Sequence, residues 1–258
     1  MRGAVDSERG TPRPELPFGA AELLCAVAGA GRVLDLCCGS GRLTVALTQA
    51  GAAVTGIDMS RERLEQARRR AAESGVELQL VEADMDEPLP FEDGSFDAAT
   101  SRLALMAAAA PAATLRELRR VVVPDGRIAT VIWASLDRNP WFSAPREAIA
   151  AVLGDERASF APAFGKLGDP REAADAHRAA GMRDVEATLL QEYASATDAT
   201  QHWKRLAQEN GHFRRVEETL TEAEREAVVT DVATRLEPYR VGDSVQVPRT
   251  LVLVTARC

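Results

Sequence analysis

The sequence has no apolar run long enough to span a bilayer, and no N-terminal stretch with the basic-then-apolar layout of a secretory signal. A soluble, cytoplasmic protein without membrane attachment is therefore expected. Lysine is nearly absent, Lys166 and Lys204 being the only two, and the formal net charge over 258 residues is -8. Nucleic-acid affinity comes mainly from clustered basic residues, so this balance argues against nucleic acid and favours a small-molecule partner. The run "ARRR" ending at Arg70 sits among Glu62, Glu65 and Glu73 and reads as a solvated helix face. Cysteine is also scarce: Cys25, Cys37, Cys38 and Cys258 contain no CxxC pair and stand near no histidine cluster, so no metal site is expected. The neighbours Cys37 and Cys38 cannot easily bridge each other and read as small packing residues. Repeats and low-complexity tracts are missing.

What the chain does have is rhythm. Residues 1–17, with Pro12, Pro14 and Pro17 and no periodicity, are expected to form a mobile arm, with a lid over a ligand as one role for it. From Phe18 a helix is predicted to Ala28, then strand Arg32 to Cys37, helix Arg42 to Ala50, a strand ending at Asp58, and a helix capped by Ser60. "VELQLV", "FDAATSRL" and "RIATVIW" supply three more strands, with a helix opened by Pro111 between the last two and a "PDG" turn at 124–126. Strands alternating with helices mean βαβ units, a parallel sheet and right-handed crossovers: an α/β fold. Beyond Trp133 the rhythm changes. A helix starts at Asp169 and Pro170 and stops at Gly181, "VEATLLQEY" is a strand candidate, Thr221 and Glu224 form a capping box, and "SVQVPRTLVLVTA" closes the chain as a strand. Pro248 in that run predicts a bulge or an exposed strand end.

In open parallel sheets ligands sit at the carboxyl ends of the strands, so the acids there matter: Asp58 after the second strand, Asp84 after the third, and Asp35 within the first. The turn in "VLDLCCGSGRLT" carries Gly39 and Gly41, but Thr44 stands where a dinucleotide-binding turn needs its third glycine. Asp58 stands at about the distance that a ribose-binding acid takes with either kind of cofactor. A cofactor with a sulfonium, an ammonium group and a ribose diol would favour acids around the turn, such as Asp35, where a pyrophosphate would be repelled.

On these residues the chain resembles the class I S-adenosylmethionine-dependent methyltransferases, in the broad group related to the quinone-biosynthesis methyltransferases. The matching segments are "VLDLCCGSG", "GIDMS", "EADMDEPLPFEDGSFD", "SRLALM" and "LRELRRVVVPDGRIATVIW", in the right order over about residues 25 to 142. The tail "AAGMRDVEATLL" and the closing strand fit the same group. The resemblance implies a Rossmann-like, seven-stranded, mostly parallel sheet with an antiparallel last strand and helices on both faces. It implies one domain over 18–258: a cofactor core at 18–135, with 136–168 and 194–240 as substrate-binding or lid insertions.

By that resemblance Asp35 would orient the methionyl ammonium group, and the backbone of Cys37, Gly39, Ser40 and Gly41 would approach the cofactor. Asp58 would take both ribose hydroxyls, Met59 would pack on the adenine, and Asp84 with the Met85 amide would meet the adenine amino group. Ser101 would lie beside the methionyl portion and Arg102 beside the acceptor, with Met106 nearby. Cys37 departs from the usual first glycine of the turn, although some quinone-pathway relatives carry a similar "LCCGSG". "AAAAPAA" at 107–113 replaces aromatic residues of many relatives, which argues against a quinone-like acceptor.

Methyl transfer from a sulfonium to O, N or C of a small-molecule acceptor, possible in specialised metabolism, needs no metal and no covalent enzyme intermediate; its product is S-adenosylhomocysteine. A hydroxyl or amine acceptor is helped by a base. His202 and His212 are the candidates, each competing with a role as an exposed or capping histidine; His177 follows Pro170 on a helix and is a weaker candidate. Trp141, Phe142 and Trp203 either line an acceptor pocket or pack in the core. Two other functions stay open: a protein that binds S-adenosylmethionine without methylating, including one that steers a cyclisation, and a nicotinamide oxidoreductase, disfavoured by Thr44 and the acids. A monomer or a homodimer is expected.

Overall fold

A computed structural model describes residues 20–159 and 166–258. The expected arm at 1–17 lies outside the described residues.

Helix α1 (Ala20–Ala28) leads into β1 (Arg32–Leu36), α2 (Arg42–Gln49), β2 (Ala53–Asp58), α3 (Arg61–Glu73) and β3 (Gln79–Glu82). There follow β4 (Phe96–Arg102), α4 (Pro111–Val121), β5 (Val122–Trp133), α5 (Pro140–Leu153) and α6 (Pro170–Ala179). The chain ends through β6 (Arg183–Ala196), α7 (Ala199–Glu209), α8 (Gly211–Thr219), α9 (Glu222–Leu236), the short β7 (Arg240–Val241) and β8 (Ser244–Arg257). The strands form one sheet in the order β3-β2-β1-β4-β5-β8-β6, with β7 paired to β8. Neighbours from β3 through β5 pair in parallel, while β8 runs antiparallel to both β5 and β6. The expected seven strands and antiparallel last strand are present, with β7 as a two-residue addition. The switch in strand order falls between β1 and β4, so the carboxyl ends there open a crevice.

The starts of the elements follow from capping. The Ser60 hydroxyl accepts from the Arg63 N–H, Asp169 from Arg171 and Glu172, and Asp198 from Gln201. Thr221 and Glu224 close the predicted capping box at α9. Each satisfies a backbone donor that the first helical turn leaves unpaired. The central strands are buried on both faces, with Val33, Leu34, Leu36, Ile128, Val131 and Ile132 all essentially inaccessible, as a helix-covered sheet requires.

Three boundaries differ from expectation. The "PDG" turn lies inside β5, where Asp125 takes a positive φ of 65° and the register with β4 shifts, so the strand continues through a bulge. β3 starts at Gln79, where pairing with β2 starts. β6 runs to Ala196 because β8 pairs with it along its whole length. Pro248 sits opposite Tyr193 in an unbroken register, at a point where β8 has no β5 partner. The proline therefore marks a half-open strand end and not a bulge. Among the described residues, no helix is long and apolar enough to cross a membrane.

Candidate functional site

A cavity of about 1080 Å³ opens at the carboxyl ends of β1, β2, β4 and β5, with α7, α8 and β8 supplying its far wall. That lies at the upper end of the roughly 300–1,000 Å³ typical of a small-ligand site.

The near wall is built by the turn after β1. Gly39 and Gly41 both adopt positive φ, at 55° and 76°. A Cβ at Gly41 would stand 2.8 Å from the Ala67 Cβ, so the second glycine is required for α3 to pack on the turn. Cys37 also lies in the left-handed region, at φ 55°, which an L residue adopts only at a cost of roughly 1–2 kcal/mol. That is the position where the resembled class has glycine. The Cys37 thiol donates to the Met85 sulfur at 3.4 Å, and Cys38 packs where a Cβ on Gly56 would stand, 2.9 Å from its sulfur. Burial, then the nearby acids, push both thiols up to about 12. They remain protonated near neutral pH and are poor nucleophiles. Arg70 donates its Nε–H to the Ser40 carbonyl at 2.9 Å. One member of the "ARRR" run is therefore a support for the turn, contrary to the reading of that run as a solvated face.

Asp58 closes the rim of β2 and is 7% exposed. One carboxylate oxygen accepts from the Gly39 N–H and the other from the Ser60 N–H, each at 2.9 Å. Each oxygen keeps a further lone pair for a ligand donor. Asp35 is 1% exposed and lines the same cavity. The Thr44 hydroxyl donates to it at 2.7 Å and the Thr100 hydroxyl at 3.3 Å. Burial outweighs these donors and raises the Asp35 carboxyl to about 7. A bound cation would reverse that desolvation cost. Thr44 thus has a positive use that the sequence showed only as a missing glycine, and Thr100 was not singled out at all.

Asp84 and Met85 stand on the loop after β3, beside the turn residue Cys37, whose thiol meets the Met85 sulfur; Asp84 accepts from the Asp86 N–H at 3.0 Å. Met59 is 67% exposed at the β2 rim. Ser101 is fully buried at the end of β4, and its hydroxyl has no hydrogen-bond partner.

The far wall includes Arg102, Met106, Trp141, Phe142, His212 and Arg249. Asn139 organises it. This fully buried amide donates to the carbonyls of Ala134, Ser135 and Thr250 at 2.9 to 3.1 Å and accepts from the Thr250 N–H and the Trp141 indole. It ties α5 to β8 and sets Trp141 against the cavity. The Arg249 guanidinium lies over the Trp133 and Trp141 rings, 5.4 and 5.0 Å from their centroids.

The two candidate bases separate. His202 is 3% exposed, lies off this cavity, and is 2.7 Å through Nε2 from the Trp141 carbonyl, which can only accept, so the proton sits on that nitrogen. Its place is a positioning one, a correction to the catalytic reading. His212 lines the cavity, and burial with the neighbouring Arg215 charge lowers its pKa, so it is neutral near pH 7. Trp203, expected as a substrate contact, is instead buried in the core with its indole donating to Glu217 at 2.7 Å. The aromatic ring there serves α7–α8 packing. His177 is buried between the Ala173 carbonyl and the Thr130 hydroxyl, a structural place. Among the described residues, no group of three or more His, Cys, Asp or Glu side chains is placed to hold a metal.

A parallel sheet with one antiparallel strand inserted beside β5, and acids at the rim of β1 and β2, is the arrangement that the resemblance to class I methyltransferases implies. Among known proteins, residues 33–126 match the family model described as a methyltransferase domain. Over that segment the chain is similar to methyltransferase domains. A Mycobacterium tuberculosis protein of uncharacterised function is 43% identical over 102 residues, covering 40% of this chain and 37% of its own. A ubiquinone biosynthesis O-methyltransferase of Alkalilimnicola ehrlichii is 36% identical over 125 residues, covering 48% and 47%. The chain thus spans less than half the length of these curated relatives. The crystal structure of a putative methyltransferase from Bacillus halodurans superposes with a TM-score of 0.59 at 16% identity, over 92% of this chain and 96% of that one, which is a likeness of fold.

Proposed function

We propose that the protein transfers a methyl group from S-adenosylmethionine to an O, N or C atom of a small-molecule acceptor, releasing S-adenosylhomocysteine. The observation that carries this reading is the pair of carboxylates on one wall of the cavity: Asp58 fixed by two backbone donors, and Asp35 held by two threonine hydroxyls. Their chemistry fits a ribose diol and a cationic amino-acid end. Asp58 suits the ribose of either cofactor, but a carboxylate at Asp35, beside the turn where a pyrophosphate would lie, disfavours a nicotinamide cofactor.

The bound cofactor supplies an activated methyl on a sulfonium. The chain's own part is to bind, orient and exclude water. Asp58 accepts from the sugar hydroxyls while its other lone pairs hold the Gly39 and Ser60 amides, so binding and turn geometry are coupled. Asp35, with Thr44 and Thr100 fixing its plane, receives the ammonium group. Met59, Asp84 and Met85 border the adenine, and Ser101 the methionyl chain. The far wall holds the acceptor against the methyl in line with the breaking bond; such positioning is worth roughly 7–11 kcal/mol of a barrier. His212, neutral near pH 7, takes the proton from a hydroxyl or amine acceptor. Segments 136–168 and 194–240 furnish that acceptor wall. The protein works in the cytoplasm, on a small molecule of specialised metabolism, as a monomer or homodimer.

The test is thermal melting with S-adenosylhomocysteine or NAD, followed by incubation of a producer-cell extract with methyl-labelled cofactor and mass spectrometry. Stabilisation by S-adenosylhomocysteine alone, with label in a small molecule, is the expected result. The reverse melting pattern contradicts the reading. Binding without label points to a protein that uses the cofactor without methylating, including a cyclase-like one.

A further inference from the structure

The charge of the far wall differs from that of the molecule. The chain carries a formal net charge of -8, yet Arg102, Arg205, Arg215 and Arg249 all face the cavity from β4, α7, α8 and β8. The carboxylates lining the cavity are Asp35, Asp58 and Glu192, and the first two belong to the opposite wall. Glu192 stands directly across from Arg249 in the β6–β8 register, so this wall brings one carboxylate and four guanidinium groups to the cavity. A concave, low-dielectric cleft focuses such an excess of one sign.

Arg102 is the sharpest member. It leaves the end of β4 into the cavity, makes no ion pair among the described residues, and its Nε is buried with no hydrogen-bond partner. Asp35 is close enough for its charge to be felt, but that carboxylate is already engaged by Thr44 and Thr100. A guanidinium stays charged at any working pH and offers a planar fork of donors matched to a carboxylate or phosphate. A buried donor of this kind without a partner is costly unless a ligand completes it. Beside it Trp133, Trp141 and Phe142 give the same wall an aromatic lining, with Arg249 stacked across two of the rings.

We propose that the acceptor is an oxyanion on an apolar or aromatic body, its carboxylate or phosphate held by Arg102 with the other arginines of the wall and its body resting on Trp141 and Phe142. This rests on the methyltransferase reading for the word acceptor, but the anion subsite is measurable without methylation. The probes are 3-phenylpropionate, phenyl phosphate and the uncharged 3-phenylpropionamide, titrated into the full chain with and without saturating S-adenosylhomocysteine and followed by melting temperature and calorimetry. The expected result is binding of either anion at least tenfold tighter than of the amide. Raising salt from about 50 to about 500 mM weakens the anions several-fold and leaves the amide unchanged, as screening requires. Arg102→Met is expected to lose the preference for the anions while keeping its shift with S-adenosylhomocysteine, which also shows that the variant folds. Arg215→Met, at an exposed position, gives a smaller loss and serves if the first variant does not fold. Equal binding of amide and anions overturns the proposal. So does an Arg102→Met variant that keeps anion binding but loses S-adenosylhomocysteine, since Arg102 would then serve the cofactor. Anion binding without any response to S-adenosylhomocysteine upholds the subsite and sinks the methyltransferase reading instead.

Discussion

The near wall of the cavity comes almost entirely from residues 33 to 60, two strands and the turns that follow them, whereas the far wall takes Arg102, Trp141, Arg205, His212 and Arg249 from five separate elements. The first is made of backbone conformation and carboxylates whose hydrogen bonds, the one from Thr100 to Asp35 apart, stay within a short stretch of chain. The second is made of guanidinium groups and aromatic rings that meet only because β8 inserts between β5 and β6 and the Asn139 amide ties α5 to Thr250. A wall built locally is hard to disturb except at its own residues. One built from distant elements depends on the joints that bring them together.

The largest expected effect breaks the near wall at its centre. Asp58→Ala removes a carboxylate that holds Gly39 and Ser60 and, in the proposed complex, the sugar as well. With charge-assisted bonds worth about 1.5–3 kcal/mol each, affinity for S-adenosylhomocysteine should fall at least about a hundredfold by calorimetry. An unchanged affinity would remove Asp58 from the site.

Next is the joint of the far wall. Asn139→Ala takes the acceptor from the Thr250 N–H and a donor from the Ala134 carbonyl in the interior, while the Thr250 and Ser135 carbonyls keep the Ala134 and Arg138 N–H groups, and should cost about 2–4 kcal/mol in urea unfolding. The comparison is sharpened if S-adenosylhomocysteine still binds the folded fraction while 3-phenylpropionate does not. Equal loss of both would mean the two walls are one unit.

Asp35 gives a pH-dependent effect of similar or smaller size. Its folded pKa, about 7, is raised above the ordinary 3.8, chiefly by burial. The stability this contributes is present below the ordinary value and is lost as pH rises through 7. Asp35→Asn escapes that loss, so the ligand-free variant should be more stable than the parent above pH 8, by on the order of 2–4 kcal/mol at most, and no more stable below pH 4. Its affinity for S-adenosylhomocysteine should be lower at pH 8 and independent of pH between 5.5 and 8, where the parent weakens as pH falls. Melting and titration across this range check both; a variant less stable at every pH would contradict the assignment of burial as the cause.

The smallest effect concerns Cys37 at its φ of 55°. Cys37→Gly should change stability by less than about 1 kcal/mol, since relief of the left-handed strain offsets lost packing, whereas a β-branched valine there should cost about 2 kcal/mol or more. Chemical denaturation of the two variants distinguishes strain from a need for the thiol.

The same contrast explains what could be read in advance. The fold from β1 to β5 was legible because hydrophobic runs, caps and glycines act over a few residues, and Asp35, Gly39, Gly41 and Asp58 were legible because the turn and the acids sit within one stretch. Thr44 was visible only as a glycine that was not there; its bond to Asp35 required α2 to be folded onto β1. Asn139 was not singled out in the sequence at all, because its amide is spent on Thr250 across the chain. Trp203 and His202 share a polar-looking helix, and nothing local tells that both point into the interior. Arg249 lies in a closing strand beside Pro248, where its stacking on Trp133 and Trp141 depends on the register of three strands.

The most direct test of the central claim is a crystal structure of the protein grown with S-adenosylhomocysteine. The account predicts both ribose hydroxyls on the Asp58 carboxylate, the amino group toward Asp35, and the sulfur facing the wall that holds Arg102 and Trp141. Ligand density elsewhere, or a cofactor lying across Gly39 and Gly41 without touching Asp58, would contradict it.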